Sequence, residues 1–173
     1  MKNIYLLGFM GSGKTRTGRA LAERTDRVFT DTDLELKKIY GLATGEFIKK
    51  RGLKAFRAAE DSVFRTVARS TGRVIALGGG ITPTKARRRL LSGLGVTVYL
   101  KCREAVLFKR LSKDPVRRPL LGDGPEQAKR NISRLLKKRR PYYEKADLEL
   151  DTSDLTPEAA AAGLARLLRH KMS

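Results

Sequence analysis

Short apolar runs alternate with amphipathic stretches along the chain. Asn3–Leu7 is an apolar run ending at Gly8, and it reads as a buried strand. Residues 15–24 carry Gly18, Leu21 and Ala22 at helical spacing. Val28–Thr30 is a second short strand. Residues 33–40, 45–51 and 53–70 read as helices broken at Gly41 and Gly52. Val74–Leu77 is a third strand, closed by Gly78-Gly79-Gly80. A basic helix over residues 85–91 leads to a fourth strand, Val96–Leu100, and a helix over 104–111 follows. Residues 114–125 hold several prolines and glycines and read as a loop. A strongly basic helix spans 126–139 and is expected to stop before Pro141. Leu148 and Leu150 alternate with Asp147, Glu149 and Asp151, as in a half-exposed strand. Pro157 opens an alanine- and leucine-rich final helix with Thr156 as its N-cap.

Nearly continuous apolar strands separated by helices predict a parallel sheet covered on both faces. Five strands in this order predict a three-layer α/β/α fold. At 173 residues the chain is read as a single domain spanning residues 1–173. Apolar residues form 40% and charged residues 32%, which excludes a disordered class. Cys102 is the only cysteine, so no intrachain disulfide can form. No apolar run approaches the ~20 residues that span a bilayer, and a cytoplasmic location is expected.

The formal charge of +20 changes the picture of partners. It suits either nucleic acid or a small phosphorylated or carboxylated molecule. Aromatics are 6% with no tryptophan, so no stacking platform for bases is evident. The basic residues are also spread over many segments rather than gathered in one tail. Solubility alone accounts for the excess equally well.

The strongest chemical signal is Gly8-Phe9-Met10-Gly11-Ser12-Gly13-Lys14-Thr15, a full G-x-x-x-x-G-K-[ST] between a strand and a helix. Its glycines let successive backbone N–H groups face phosphate oxygens, and the helix adds its positive end. Gly11, Ser12, Gly13, Lys14 and Thr15 are therefore the expected ATP-binding residues. Lys14 reaches the β- and γ-phosphates, and the Thr15 hydroxyl ligates Mg²⁺. The loop fixes nucleotide binding but not the reaction, because NTPases, motors and kinases share it.

The second strand leads into Asp31-Thr32-Asp33, at the sheet edge that also holds the P-loop. One carboxylate can hold Mg²⁺ through water and the other can take a proton from an attacking hydroxyl. The plainer alternative is that Asp33 merely caps the next helix. Arg57 and Glu60 stand three apart on one helix. They form either a pair that fixes a guanidinium against a substrate carboxylate or a surface ion pair of little worth. Gly78, Gly79 and Gly80 can offer bare backbone to a ligand. Arg118, in the loop of residues 112–124, can close over the transferring phosphoryl group. Arg139 ends the basic helix.

Taken in order, the P-loop with Gly18, Asp31-Thr32-Asp33, Phe56-Arg57-x-x-Glu60, Gly78-Gly79-Gly80, Arg118-Pro119-Leu120-Leu121 and Arg139-x-Pro141-x-Tyr143 resemble the shikimate kinase family. The resemblance covers roughly residues 4–151. It implies a P-loop kinase fold with strand order 2-3-1-4-5. It implies phosphoryl transfer from ATP to the 3-hydroxyl of shikimate, on the route to chorismate and the aromatic amino acids. By position, Asp33 would be the base, and Arg57 and Arg139 would grip the carboxylate. Gly78, Gly79 and Gly80 would line the acceptor pocket, within a shikimate-binding helical region of about residues 33–62. Arg118 would be the lid arginine. Thr15 and Asp31 would hold Mg²⁺, and Arg110 would lie over the adenine, with the loop of residues 151–157 on its other side. The partners would be ATP and shikimate, with no membrane or nucleic acid, and a monomer is expected. The chain departs from the family pattern at Thr44, Phe47, Ile48 and Leu53, around the acceptor pocket. A related small-molecule kinase such as gluconate kinase is the nearest alternative function. A nucleic-acid-binding ATPase is the alternative that the charge suggests.

Overall fold

A computed structural model describes residues 1–78, 85–113, 119–122 and 124–172. Five strands, β1 (Asn3–Leu7), β2 (Val28–Asp31), β3 (Arg73–Ala76), β4 (Gly95–Lys101) and β5 (Leu148–Asp151), form one sheet. Its order is β2-β3-β1-β4-β5, and every pair is parallel. The helices are α1 (Lys14–Arg24), α2 (Thr32–Tyr40), α3 (Thr44–Ala68), α4 (Lys85–Leu94), α5 (Glu104–Ser112), α6 (Pro125–Tyr143) and α7 (Pro157–Met172). A 3₁₀ turn covers Pro119–Leu121.

Alternation along the central strands distributes the core. Ile4 and Leu6 of β1, with Val96, Val98 and Leu100 of β4, pack against Leu21 of α1 and Ala161, Leu164 and Leu168 of α7. Tyr5, Leu7 and Tyr99 point to the other face, where they meet Phe64 of α3, Leu91 of α4 and Tyr143 of α6. Successive strand side chains face opposite ways, so a strand buried on both sides must be apolar throughout. That is the pattern of β1 from Ile4 to Leu7, whereas Asn3, also buried, donates from its amide to the Tyr5 hydroxyl at 3.1 Å and to Ser70 O at 2.6 Å. β5 lies at the sheet edge and alternates half-buried leucines with exposed acids.

Two helix boundaries show sequence and packing in competition. Gly52 has φ 81° and ψ 163°, so α3 is two helices joined at a kink, as the break expected at Gly52 requires. The basic helix does not stop before Pro141: α6 runs through it to Tyr143, which corrects the sequence expectation. Proline removes only one N–H in the last turn. The gain is burial of Tyr143, 1% exposed and stacked on Tyr99 with centroids 5.2 Å apart. The Thr156 cap forms as expected, its hydroxyl accepting the Ala159 N–H at 3.2 Å. Among the described residues no helix is long and apolar enough to cross a membrane.

Candidate active site

β1, β2 and β3 end at the same edge of the sheet, and this parallel register assembles the site. β1 delivers the P-loop, with α1 starting at Lys14. Lys14 is nearly buried, and its ammonium donates to the carbonyls of Gly8 at 2.8 Å and Phe9 at 2.9 Å. The loop thus holds its own lysine over the phosphate cradle. Ser12 is buried, and its hydroxyl oxygen has no hydrogen-bond partner among the described residues. An orphan of this kind in an anion-binding loop suits a site built for phosphate.

β2 ends at Asp31, whose two oxygens do different work. Oδ1 accepts the N–H of Asp33 at 2.9 Å and of Leu34 at 3.4 Å, capping α2. Oδ2 accepts the Thr15 hydroxyl at 2.7 Å. The helix cap is therefore Asp31, and the capping role that was the alternative for Asp33 is already filled. Asp33 instead lies against the end of β3. A Cβ built on Gly78 would stand 2.5 Å from Asp33 Oδ1, so only glycine lets this carboxylate approach. The Gly78 N–H also donates to Thr32 Oγ1 at 2.8 Å, which ties β3 to the start of α2.

The Arg57–Glu60 pair is not a surface ion pair. Arg57 donates to Glu60 Oε2 at 2.6 Å, with Glu60 only 2% exposed and Arg57 35%. Burial pushes the Glu60 carboxyl above the ordinary range, against the opposing pull of Arg57, Arg87 and Arg139. Among the described residues Glu60 Oε1 has no hydrogen-bond partner. Residues from α3, α4 and α6 thus place three guanidinium groups around one buried carboxylate. Arg139 is 5% exposed and lies over the Phe9 ring at 5.6 Å. Burial pushes the pKa of the nearby Tyr143 hydroxyl up, against the opposing pull of the Arg139 charge.

On the nucleotide side, Arg110 of α5 reaches the Gly11 carbonyl at 3.3 Å, Thr152 O at 2.9 Å and Ser153 O at 3.4 Å. This sets it between the P-loop and the segment after β5, where the resemblance puts the adenine. Thr152, 3% exposed, was not singled out from sequence. Its hydroxyl is shared between Ser12 O at 3.1 Å and Lys101 O at 3.0 Å, pinning the P-loop to the end of β4. No sequence signal marks it, because its two acceptors are distant backbone carbonyls. Arg87 and Phe9 were likewise missed. The expected residues Gly79, Gly80 and Arg118 lie outside the described residues.

Of the departures, Phe47 is 2% exposed and makes edge contacts with Tyr40 at 5.2 Å and Phe56 at 5.9 Å. It builds the core between α2 and α3 with Leu36, Ala59 and Val63. A separate depression of about 250 Å³ is lined by Arg19, Ala22, Glu23, Asp26, Arg27 and Phe29. None of these belongs to the constellation above.

Comparison with known proteins shows which family the whole chain resembles. The family model described as shikimate kinase matches residues 10–169. A shikimate kinase of Caldicellulosiruptor bescii is 42% identical over 161 residues, covering 93% of this chain and 92% of that protein. One of Thermodesulfovibrio yellowstonii is 40% identical, covering 93% and 91%. The solved structure of shikimate kinase from Acinetobacter baumannii in complex with shikimate has a TM-score of 0.91 at 32% identity, covering 99% of this chain and 94% of that one. A sugar kinase from Janibacter, at 17% identity and TM-score 0.66, shares the fold alone. The chain has the fold of the P-loop kinases and belongs to the shikimate kinase family.

Proposed function

We propose that this chain transfers the γ-phosphoryl group of ATP to the 3-hydroxyl of shikimate, giving shikimate 3-phosphate. The observation that carries the reading is the convergence of Arg57 and Arg139, from two different helices, on buried Glu60 beside the P-loop residue Phe9. A site that invests two fixed guanidinium groups next to a phosphate cradle suits an acceptor bearing its own carboxylate.

In this reading Arg57 and Arg139 hold the acid and Asp33 receives the proton of the attacking hydroxyl. Lys14 leaves the carbonyls of Gly8 and Phe9 to meet the β- and γ-phosphate oxygens. Arg110 and the Thr152–Ser153 backbone flank the base. Arg118 is assigned to the lid. Among the described residues no group of three or more His, Cys, Asp or Glu could hold a metal ion. The residues present still fit Mg²⁺ brought by the nucleotide, since Thr15 Oγ1 and Asp31 Oδ2 are hard oxygen donors 2.7 Å apart and Mg²⁺ needs few protein ligands. Those two atoms would hold it, and when bound it neutralises charge on the phosphates. The chain then acts as a cytoplasmic monomer with ATP and shikimate as its partners.

A coupled ADP-release assay against shikimate, gluconate and nucleoside monophosphates tests the reading. Shikimate should be the preferred acceptor, and Arg57→Ala and Arg139→Ala should each raise its KM. Preference for gluconate or a nucleotide, or ADP release stimulated by nucleic acid and not by shikimate, overturns it.

A further inference from the structure

Phe9 belongs to two sites at once. Its carbonyl accepts the Ser12 N–H at 3.1 Å and the Lys14 ammonium at 2.9 Å, so its backbone is part of the phosphate cradle. Its ring, 1% exposed, is buried with Leu107 and Leu111 of α5, Ile132 and Leu136 of α6, and Leu121 of the 3₁₀ turn. The guanidinium carbon of Arg139 stands 5.6 Å from the centre of that ring. The P-loop pattern leaves this position open to any residue, so an aromatic here is not demanded by phosphate binding.

We propose that Phe9 is a positioning residue for the acceptor acid: its ring face fixes the plane in which the guanidinium of Arg139 meets the substrate carboxylate. The inference rests on the assignment of Arg139 to that carboxylate. A guanidinium binds a carboxylate through two parallel N–H bonds only if its plane is set beforehand. The ring takes one face of the guanidinium, and the buried Glu60 carboxylate attracts the same cation. With Phe9 1% and Arg139 5% exposed, the ring–cation contact is desolvated, the setting in which such contacts are strongest. Leucine would fill most of the volume but lacks the negative ring face.

The test uses the full chain with phenylalanines of increasing fluorine content at position 9, which drain the ring face while keeping its shape, alongside Phe9→Leu. Each protein is also made in the Arg139→Ala background. The shikimate KM should climb stepwise with fluorination and reach about tenfold to thirtyfold in Phe9→Leu. This rise should exceed any change in the ATP KM, and the series should be flat in the Arg139→Ala background. A flat fluorine series in an enzyme whose unmodified form phosphorylates shikimate overturns the role of Phe9 and leaves the function intact. Parallel rises in the shikimate and ATP KM also overturn it, since they would mark a general disturbance of the loop. An unmodified chain without shikimate-dependent ADP release rejects the function itself, and this role with it.

Discussion

Glu60→Gln separates what the buried carboxylate does for the acid site from what it does for the fold. Loss of one partner of a buried ion pair ordinarily costs about 3–5 kcal/mol, because a bare charge is left in the interior. For a chain of this size that would lower Tm by about 6–20 °C. The structure argues against such a loss. The partner cation, Arg57, is 35% exposed and can be solvated, whereas Glu60 is 2% exposed and its Oε1 has no hydrogen-bond partner among the described residues. The raised carboxyl value says the same: desolvation outweighs the attraction of Arg57, Arg87 and Arg139 together. A neutral isostere should therefore leave stability at pH 7 unchanged or higher. The sign with pH follows. Glu60 holds its proton more tightly folded than unfolded, so between its unfolded value near ~4.3 and its higher folded value the folded chain carries more protons. The contribution of Glu60 to stability therefore falls as pH rises through that window, and Gln has no such term. Urea denaturation followed by circular dichroism from pH 4 upward should show the variant gaining on the parent as pH rises. Meanwhile the shikimate KM should increase about fivefold to tenfold, because Arg57 loses the charge-assisted bond that aims it. A deficit of ~3 kcal/mol or more that deepens with pH would refute the reasoning and make the carboxylate charge a net stabiliser of the fold.

Asp33→Asn should lower kcat about 10²- to 10⁴-fold while ATP affinity, measured by equilibrium titration, stays near the parent value; parent-like turnover would remove Asp33 as the base. Gly78→Ala places a methyl 2.5 Å from Asp33 Oδ1, so kcat should fall about 10²-fold through displacement of that carboxylate, with the shift visible in a crystal structure of the variant. Thr152→Val strands the carbonyl of Ser12, whereas Lys101 O keeps the backbone N–H of residue 152 at 2.9 Å; the change should cost ~1–2 kcal/mol in urea denaturation and raise the ATP KM more than the shikimate KM.

Everything local about this protein was legible in its residues. The phosphate cradle depends on consecutive positions between a strand and a helix, so the motif carries its own geometry. The strands of the central sheet are apolar because both faces are covered, and the Gly52 break is a property of one backbone angle. The strand order agreed with what the family resemblance implied. Tertiary structure decided whatever depends on competition between distant groups. Asp31 and Asp33 are chemically alike in the sequence. Only the meeting of β2 with α1 and β3 gives one to the cap and Thr15 and sets the other against Gly78. Arg57–Glu60 could have been a weak surface pair, and it is burial, together with arginines from α4 and α6, that makes it a charged hub. Pro141 should have ended its helix by local rules, yet packing of Tyr143 on Tyr99 outweighs one missing hydrogen bond. Phe9 and Thr152 left no trace at all, since a ring under an arginine and a hydroxyl between two remote carbonyls exist only after the chain has folded. Propensity and spacing act over a few residues, whereas burial and electrostatics depend on neighbours that the fold alone brings together.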